Sequence, residues 1–456
     1  MFYLNSRLAW KIIDLNAYSV NNFLKFTYII TASLSEILIV GSGVGGATVA
    51  KELSKTGKKI TILEEGGYQK MGSELKALKF YSGNIFGPGE FSVDGVEILR
   101  AIMVGGSSNV TIGNGIRCLE REFQSAGINL REDFEEAESE LKISPCPEEK
   151  MGERTKRLMN ASNDIGYNVK PMPKYIDFSK CKKCGNCHLG CIYGAKWTSR
   201  NYLGEAFKNG VKLKKNHKVL NILHKEDEVK GVSVRTPNGV KEILSNCVIL
   251  AAGGIGTPII LQNSGVDAGS HLFADIFINT FGFVKEANFE NELGMATVIE
   301  EFHESEGYIL SPFLEGPLDL LTDRVPIMKK KIALNLHKII GIMAKTRDEP
   351  NGKVNADGSI LKPVPEIDKK KIEKGYERSR FLLEQAGADP KSIFKTHIRG
   401  AHPGGTAGLG RVVNKDLETE ISGLFVSDSS VFPTSPGKPP VLTIVALSKY
   451  LSKLIS

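Results

Sequence analysis

The strand Glu36-Ile-Leu-Ile-Val40 runs directly into Gly41-Ser-Gly43-Val-Gly45-Gly46 and is answered by Ile60-Thr-Ile-Leu-Glu64. This order of apolar run, glycine turn, helical pattern from Ala47 to Leu53, Thr56-Gly57 stop and second apolar run reads as a βαβ unit. Each glycine has a physical reason: Gly41 for the tight turn, Gly43 for close approach of backbone to a pyrophosphate, and Gly46 for packing of helix on strand. The phosphates then sit on the helix N-terminus. Glu64 falls 18 residues after Gly46, where an acid at the tip of the second strand takes ribose hydroxyls. A structural turn explains the glycines but not Glu64. The unit therefore predicts a dinucleotide site.

The rest of the chain is too long for one ordinary domain: 456 residues predict two or three. The 59 basic residues against 52 acidic ones give a net charge of only +7. The lysines are scattered (Lys329-Lys-Lys331, Lys369-Lys-Lys371), so no nucleic-acid face is expected. Lys25 interrupts the apolar stretch from Phe23 to Leu34, and no run long enough for a membrane span follows. Seven cysteines do not make a disulfide scaffold, which places the chain in a reducing compartment, the cytoplasm.

Four segments organise the chain: an extension over 1–35, a nucleotide-binding domain over 36–270, a substrate domain over 271–395, and a tail over 396–456 that returns to the first domain. The fold class is α/β, a Rossmann-like domain with a smaller α+β domain. Gly87-Pro-Gly89 and Gly105-Gly106-Ser107-Ser108 are loops of small residues, the second a candidate cofactor contact. Val219 to Val234 alternates like a hairpin around Glu226-Asp-Glu228. Cys247 to Gly254 is a buried strand running into glycines, with Gly256-Thr-Pro258 opening a helix. Strand-like residues Met295 to Ile299, a turn-rich stretch Asp348 to Gly358 and a charged helix from Glu366 to Ala386 follow. Gly423 to Asp428 reads as a last strand and Thr443 to Leu454 as a last helix. Asp428, at the end of a buried strand, is placed to accept ligand hydroxyls or to cap a turn.

Cys181-Lys-Lys-Cys184-Gly-Asn-Cys187-His-Leu-Gly-Cys191 has the spacing with which bacterial ferredoxins wrap an iron-sulfur cluster. The expectation is a [4Fe-4S] cluster, with zinc held by four thiolates as the second reading and an unmetallated loop as the third. Ile192 stands where a proline usually follows, and the fourth cysteine of such runs often serves another cluster. Cys118, Cys146 and Cys247 are then the candidate remote ligands.

Together, Gly105 to Ser108, the block Cys247 to Pro258 with Asn263-Ser-Gly265, and the tail His402-Pro-Gly-Gly-Thr406, Val426 to Val431 and Gly437 to Leu447 resemble the glucose-methanol-choline (GMC) oxidoreductases. That family consists of FAD-dependent enzymes acting on alcohols, and the resemblance runs from about 36 to 456. It implies that Gly41, Gly43, Gly46 and Glu64 hold the ADP half of FAD, with Val219 at a backbone contact to adenine. It places Gly105, Gly106, Ser107, Ser108 and Asp428 near the pyrophosphate, ribityl chain or ring. It makes His402 the group that takes the hydroxyl proton, a task suited to the range in which histidine titrates; His397 is the local competitor. The family's second His or Asn falls on Pro439, or on Lys438 with a one-residue slip. Proline neither donates nor binds a proton, so Lys438 is the candidate, with Glu301 and His303 as the others. The implied reaction is oxidation of a small-molecule alcohol to a carbonyl, with electrons passing through the cluster to a ferredoxin-like or quinone acceptor. The alternatives are a flavin reductase fed by the cluster and an electron-transfer flavoprotein.

Overall fold

The computed structural model describes residues 36–77, 79, 81, 90–316 and 331–456. The extension over 1–35 and the Gly87-Pro-Gly89 turn lie outside the described residues. Five parallel strands form one sheet in the order Leu424–Val426, Val248–Leu250, Ile37–Val40, Ile60–Glu64, Lys212–Lys215. Residues 37–40 and 248–250 are buried throughout, as strands covered on both faces must be. The chain therefore leaves every strand on one edge, at Gly41, Ala251 and Ser427 among others. Ligands of open α/β sheets bind outside the carboxyl ends of the strands, and that edge carries the glycine motifs.

The helix Val44–Leu53 packs against both Ser199–Lys208 and the closing helix Val441–Leu454. The closing helix is almost wholly buried, so its one buried cation needs partners. Lys449 finds them in Glu52 and Glu140, each at 2.9 Å, tying three helices together.

The expected hairpin is present as Lys218–Lys225 and Glu228–Thr236, joined by Glu226 and Asp227 in left-handed conformation. The amide of His217 donates to the Glu64 carbonyl at 2.8 Å, seating the start of this hairpin, with Val219, beside the end of the second strand.

A second, mixed sheet is centred on Ile276–Phe283 and Ile339–Thr346, paired antiparallel. Tyr308–Pro312, Thr297–Ile299 and Val169–Pro171 extend it on one side; Arg399–Gly400, Glu97–Ile98 and Glu90–Phe91 extend it on the other. Segments on both sides of 271–395 thus enter this sheet. The turn-rich stretch Asp348 to Gly358 contains a short strand, Gly352–Val354. The charged helix is Glu366–Gln385; it buries Ile372, Gly375, Ser379 and Leu382 at three- and four-residue spacing against the sheet. Among the described residues no helix is long and apolar enough to cross a membrane.

Candidate active site

Gly41 has φ of +101°, and a side chain there would strike the Ala251 carbonyl. A Cβ on Gly45 would strike the Ser427 carbonyl, and one on Gly46 the Gly41 carbonyl and Ile39. These three glycines are fixed by protein packing. Gly43 and Gly253 differ: nothing lies within 4 Å of a Cβ built on either. Both stand at the carboxyl edge of the parallel sheet, Gly43 capping the first helix and Gly253 opening Gly253–Gln262. Their open faces form a cradle of backbone next to a helix N-terminus, which is the setting a pyrophosphate requires.

Glu64 is buried, and burial pushes its carboxyl above the usual range. Oε2 accepts the amide and hydroxyl of Ser42, and Oε1 accepts the Gly66 amide at 2.7 Å. Oε1 retains a lone pair for a ribose hydroxyl. The Gly105–Ser108 loop docks on the fingerprint: the Gly105 amide donates to Ser42 Oγ at 3.0 Å, and a Cβ on Gly106 would come 3.0 Å from Gly43 Cα. Ser107 Oγ accepts the Ala101 amide, and Ser108 Oγ accepts the Ser199 amide, so both hydroxyls hold the loop. Asp428 is also occupied within the chain, accepting the Gly253 amide, the Thr257 hydroxyl and the Ser430 amide. It fixes the start of the helix that carries the open glycine. The donor set and the open cradle fit an ADP moiety.

His402 follows Ala401 at the end of Arg399–Gly400, and its amide is held by the Ala274 carbonyl. Its Nδ1 lies 2.8 Å from Asp275 Oδ2. Asp275 is fully buried, and its other oxygen accepts the Ser435 hydroxyl at 2.6 Å and the Gly437 amide at 2.9 Å. Since an acceptor faces Nδ1, the proton of the neutral ring sits there and Nε2 is left with its lone pair. Lys345 Nζ lies 3.4 Å from the same Nδ1. Burial, reinforced by the Lys345 charge, holds His402 well below 6.5, so the imidazole is neutral and basic at pH 7. Burial lifts Asp275 to about 6 against the pull of Lys345, leaving it mostly ionised at pH 7. Lys345 is itself brought down to about 8 by burial.

Lys438 is not joined to His402 by any hydrogen bond or ion pair. It stands 3.1 Å from Glu300 Oε1, while the preceding Gly437 amide holds Asp275. Among the other candidates, Glu301 is exposed. His303 Nε2 lies 2.8 Å from the Pro436 carbonyl, beneath the same segment. His397 binds Glu97 at 2.7 Å within a buried group that includes Arg399.

Asp275 and Lys345 are the residues that sequence reasoning missed. The available signal was a charge in or beside an apolar run, Leu272 to Ile278 around the acid and Ile339 to Ala344 directly before the lysine. A charge so placed is costly to bury without a partner. Beside this dyad lies an apolar cluster with Phe277, Met295, Ile309 and Met343 at its centre and Leu99 and Ala401 packed against it.

All four cysteines of the 181–191 segment line one hollow. Among the described residues, however, no group of three or more His, Cys, Asp or Glu side chains is placed to hold a metal ion. Cys118 is buried against Thr443, and Cys247 lies at the start of the Val248–Leu250 strand, both apart from that hollow.

The GMC oxidoreductase family model matches residues 35–282, and its C-terminal counterpart matches 338–448. The chain belongs to the GMC oxidoreductase family. Family members bind FAD, so this is an FAD-dependent oxidoreductase. An uncharacterized protein of Methanocaldococcus jannaschii is 30% identical over 91% of this chain and 98% of its own. A long-chain-alcohol oxidase of Arabidopsis thaliana is 24% identical over 91% of this chain and 67% of its own. The crystal structure of pyridoxine 4-oxidase from Mesorbium loti superposes with a TM-score of 0.68 at 14% identity, covering 92% of this chain and 98% of that one. With the family match, that likeness bears out the expected fold, a Rossmann-like FAD domain with a substrate domain.

Proposed function

We propose that this GMC oxidoreductase oxidises an alcohol with an apolar body to its carbonyl compound, with His402 as the base. The observation that carries the reading is the neutral, buried imidazole whose Nδ1 is fixed by Asp275 and whose Nε2 is left to accept a proton. FAD, when bound, supplies the hydride acceptor. Gly41, Gly43, Gly46 and Glu64 would hold its ADP half, with Val219 flanking the adenine end and Gly105 to Ser108 and Asp428 nearer the ring. Nε2 of His402 takes the hydroxyl proton as the carbinol C–H bond breaks, and the resulting imidazolium is stabilised by the Asp275 carboxylate. Lys345 keeps that carboxylate ionised between turnovers. Lys438, paired with Glu300, orients the Ser435 to Gly437 segment and thereby Asp275.

The substrate class follows from what adjoins the base. Phe277 lies two residues after Asp275, Met343 two before Lys345, and Ala401 immediately before His402, all in the apolar cluster. The related long-chain-alcohol oxidases support the same class. Each added methylene buried there contributes about 0.8 kcal/mol, or roughly four-fold. In a series of linear primary alcohols, kcat/KM is expected to rise by about that factor per carbon until the cluster is filled. A flat series, or a preference for polyols of equal length, would overturn the apolar assignment. Thiols that stand unpaired in the structure favour a reducing compartment, the cytoplasm, where the acceptor is a ferredoxin-like protein or a quinone.

A further inference from the structure

The hollow beside the cysteine segment is partly open to solvent. Cys181, Cys184, Cys187 and Cys191 line it together with Lys196; Ile176 and Leu293 complete its apolar wall. The four thiols therefore stand around a space rather than about a point. A lone zinc would draw four sulfurs to about 3.8 Å from one another, given bonds of about 2.3 Å. A polynuclear group places its own iron and sulfide between the thiolates, so they need not converge on one ion.

Two buried cations give a second, independent sign of what the hollow holds. Lys196 is 4% exposed, and its ammonium donates to the carbonyls of Asn109, Thr111 and Cys187. Lys174 is fully buried and donates to the carbonyls of Ile112 and Gly294 and to Asn114 Oδ1. Neither forms an ion pair among the described residues. Lys174 lies within electrostatic reach of Cys146, Cys181 and Cys187, and Lys196 within reach of Cys187 and Cys191. Buried cations without counter-charge are costly. The groups they face are thiols, neutral until something draws off their protons.

We infer that Cys181, Cys184, Cys187 and Cys191 bind a [4Fe-4S] cluster whose negative charge is balanced by the buried ammonium groups of Lys174 and Lys196. The four local thiolates suffice as ligands. Cys146 packs beside Cys187 without lining the hollow, and Cys118 and Cys247 are remote from it. Lys196 bridges the site to the flavin loop, because the same ammonium that faces the thiols holds the carbonyls of Asn109 and Thr111, directly after Ser108. The turn Cys187–Leu189 packs on Gly106–Val110.

The cluster's role in turnover rests on the alcohol reading above; its binding does not. Oxidation of one alcohol releases two electrons and two protons. A cluster held by Cys181, Cys184, Cys187 and Cys191 would supply one-electron chemistry, so that the two electrons would leave singly to two equivalents of a one-electron acceptor of ferredoxin type and the two protons would go to water.

The test needs no alcohol. The full chain is purified with its FAD and reconstituted anaerobically with ferrous iron and sulfide, and iron, acid-labile sulfide, zinc and flavin are then measured. About four irons and four sulfides per chain are expected, with an electron paramagnetic resonance signal on reduction. Cys184→Ser should lose most of the iron and keep its flavin, whereas Cys247→Ser should keep both. Since Cys184→Ser could fail to fold, the wild-type chain is also alkylated before and after anaerobic iron chelation. Cys181, Cys184 and Cys191 should become reactive only after chelation. Absence of iron, zinc in its place, iron lost equally from Cys247→Ser, or alkylation indifferent to chelation would each overturn the site. An alcohol-inactive protein that still binds four irons would overturn the reaction and leave the cluster standing.

Discussion

His402→Ala is expected to retain FAD at wild-type stoichiometry and to lose alcohol turnover by roughly 10²–10⁴-fold in kcat/KM, the usual contribution of a positioned general base. The glycine cradle and Glu64 lie at the carboxyl edge of the parallel sheet, and His402 makes none of their hydrogen bonds, so cofactor binding and proton abstraction should separate cleanly. The pH profile supplies a readout that a structural role would not move. A base must be unprotonated to act, and His402 is held well below 6.5 by burial and the Lys345 charge. In the wild-type protein kcat/KM should therefore rise with pH along a limb that lies below 6.5 and should be level just above it. In His402→Ala that limb should vanish. Measuring kcat/KM for one alcohol across the acid range checks both statements, and an unchanged limb in the alanine variant would reassign the base.

Asp275→Asn is expected to cut kcat by roughly 10²–10⁴-fold with little change in KM, although it alters only one atom of the side chain. The carboxylate now accepts from three sides: His402 Nδ1, the Ser435 hydroxyl and the Gly437 amide. The Gly437 amide can only donate, so an asparagine must present its oxygen there and its NH₂ to His402. The ring then becomes an acceptor at Nδ1 and carries its proton on Nε2, the atom that has to receive one. Mismatched donors cost about 1–3 kcal/mol of stability, which is small enough to leave the holoprotein folded. Steady-state kinetics together with thermal unfolding of the holoprotein would distinguish this from collapse of the site. A variant with wild-type kcat would show that Asp275 does not set the tautomer.

The nucleotide half of the molecule was legible in the sequence because its constraints are local. Gly41, Gly46 and Glu64 are dictated by one strand, one turn and one helix, and the expected strand and helix boundaries fall within a few residues of Ile37–Val40, Ile60–Glu64 and Val441–Leu454. His402 was legible through its glycine and proline setting and its family block. The residues around it were not, since Asp275 reaches it from the link before Ile276–Phe283 and Lys345 from the strand Ile339–Thr346, 127 and 57 positions away in the chain. No local pattern reports such a pairing; the only trace is a charge in an apolar run. The expectation at Lys438 rested on its place in the segment after Ser435, and the fold adds what that segment touches. In that segment it is the Ser435 hydroxyl and Gly437 amide that reach the dyad, through Asp275, while Lys438 turns to Glu300. The cysteine spacing was plain in the sequence, whereas the unpaired charges of Lys174 and Lys196 beside it emerge only from the fold.

The most direct test of the central claim is anaerobic titration of the FAD-loaded protein with an apolar primary alcohol, followed by flavin absorbance and carbonyl analysis. Bleaching of the oxidised flavin is expected, with one carbonyl product formed per FAD reduced when no acceptor is present, and roughly 10²–10⁴-fold more slowly in His402→Ala. A flavin that stays oxidised with every alcohol offered, yet is fully reduced by dithionite, would contradict that claim.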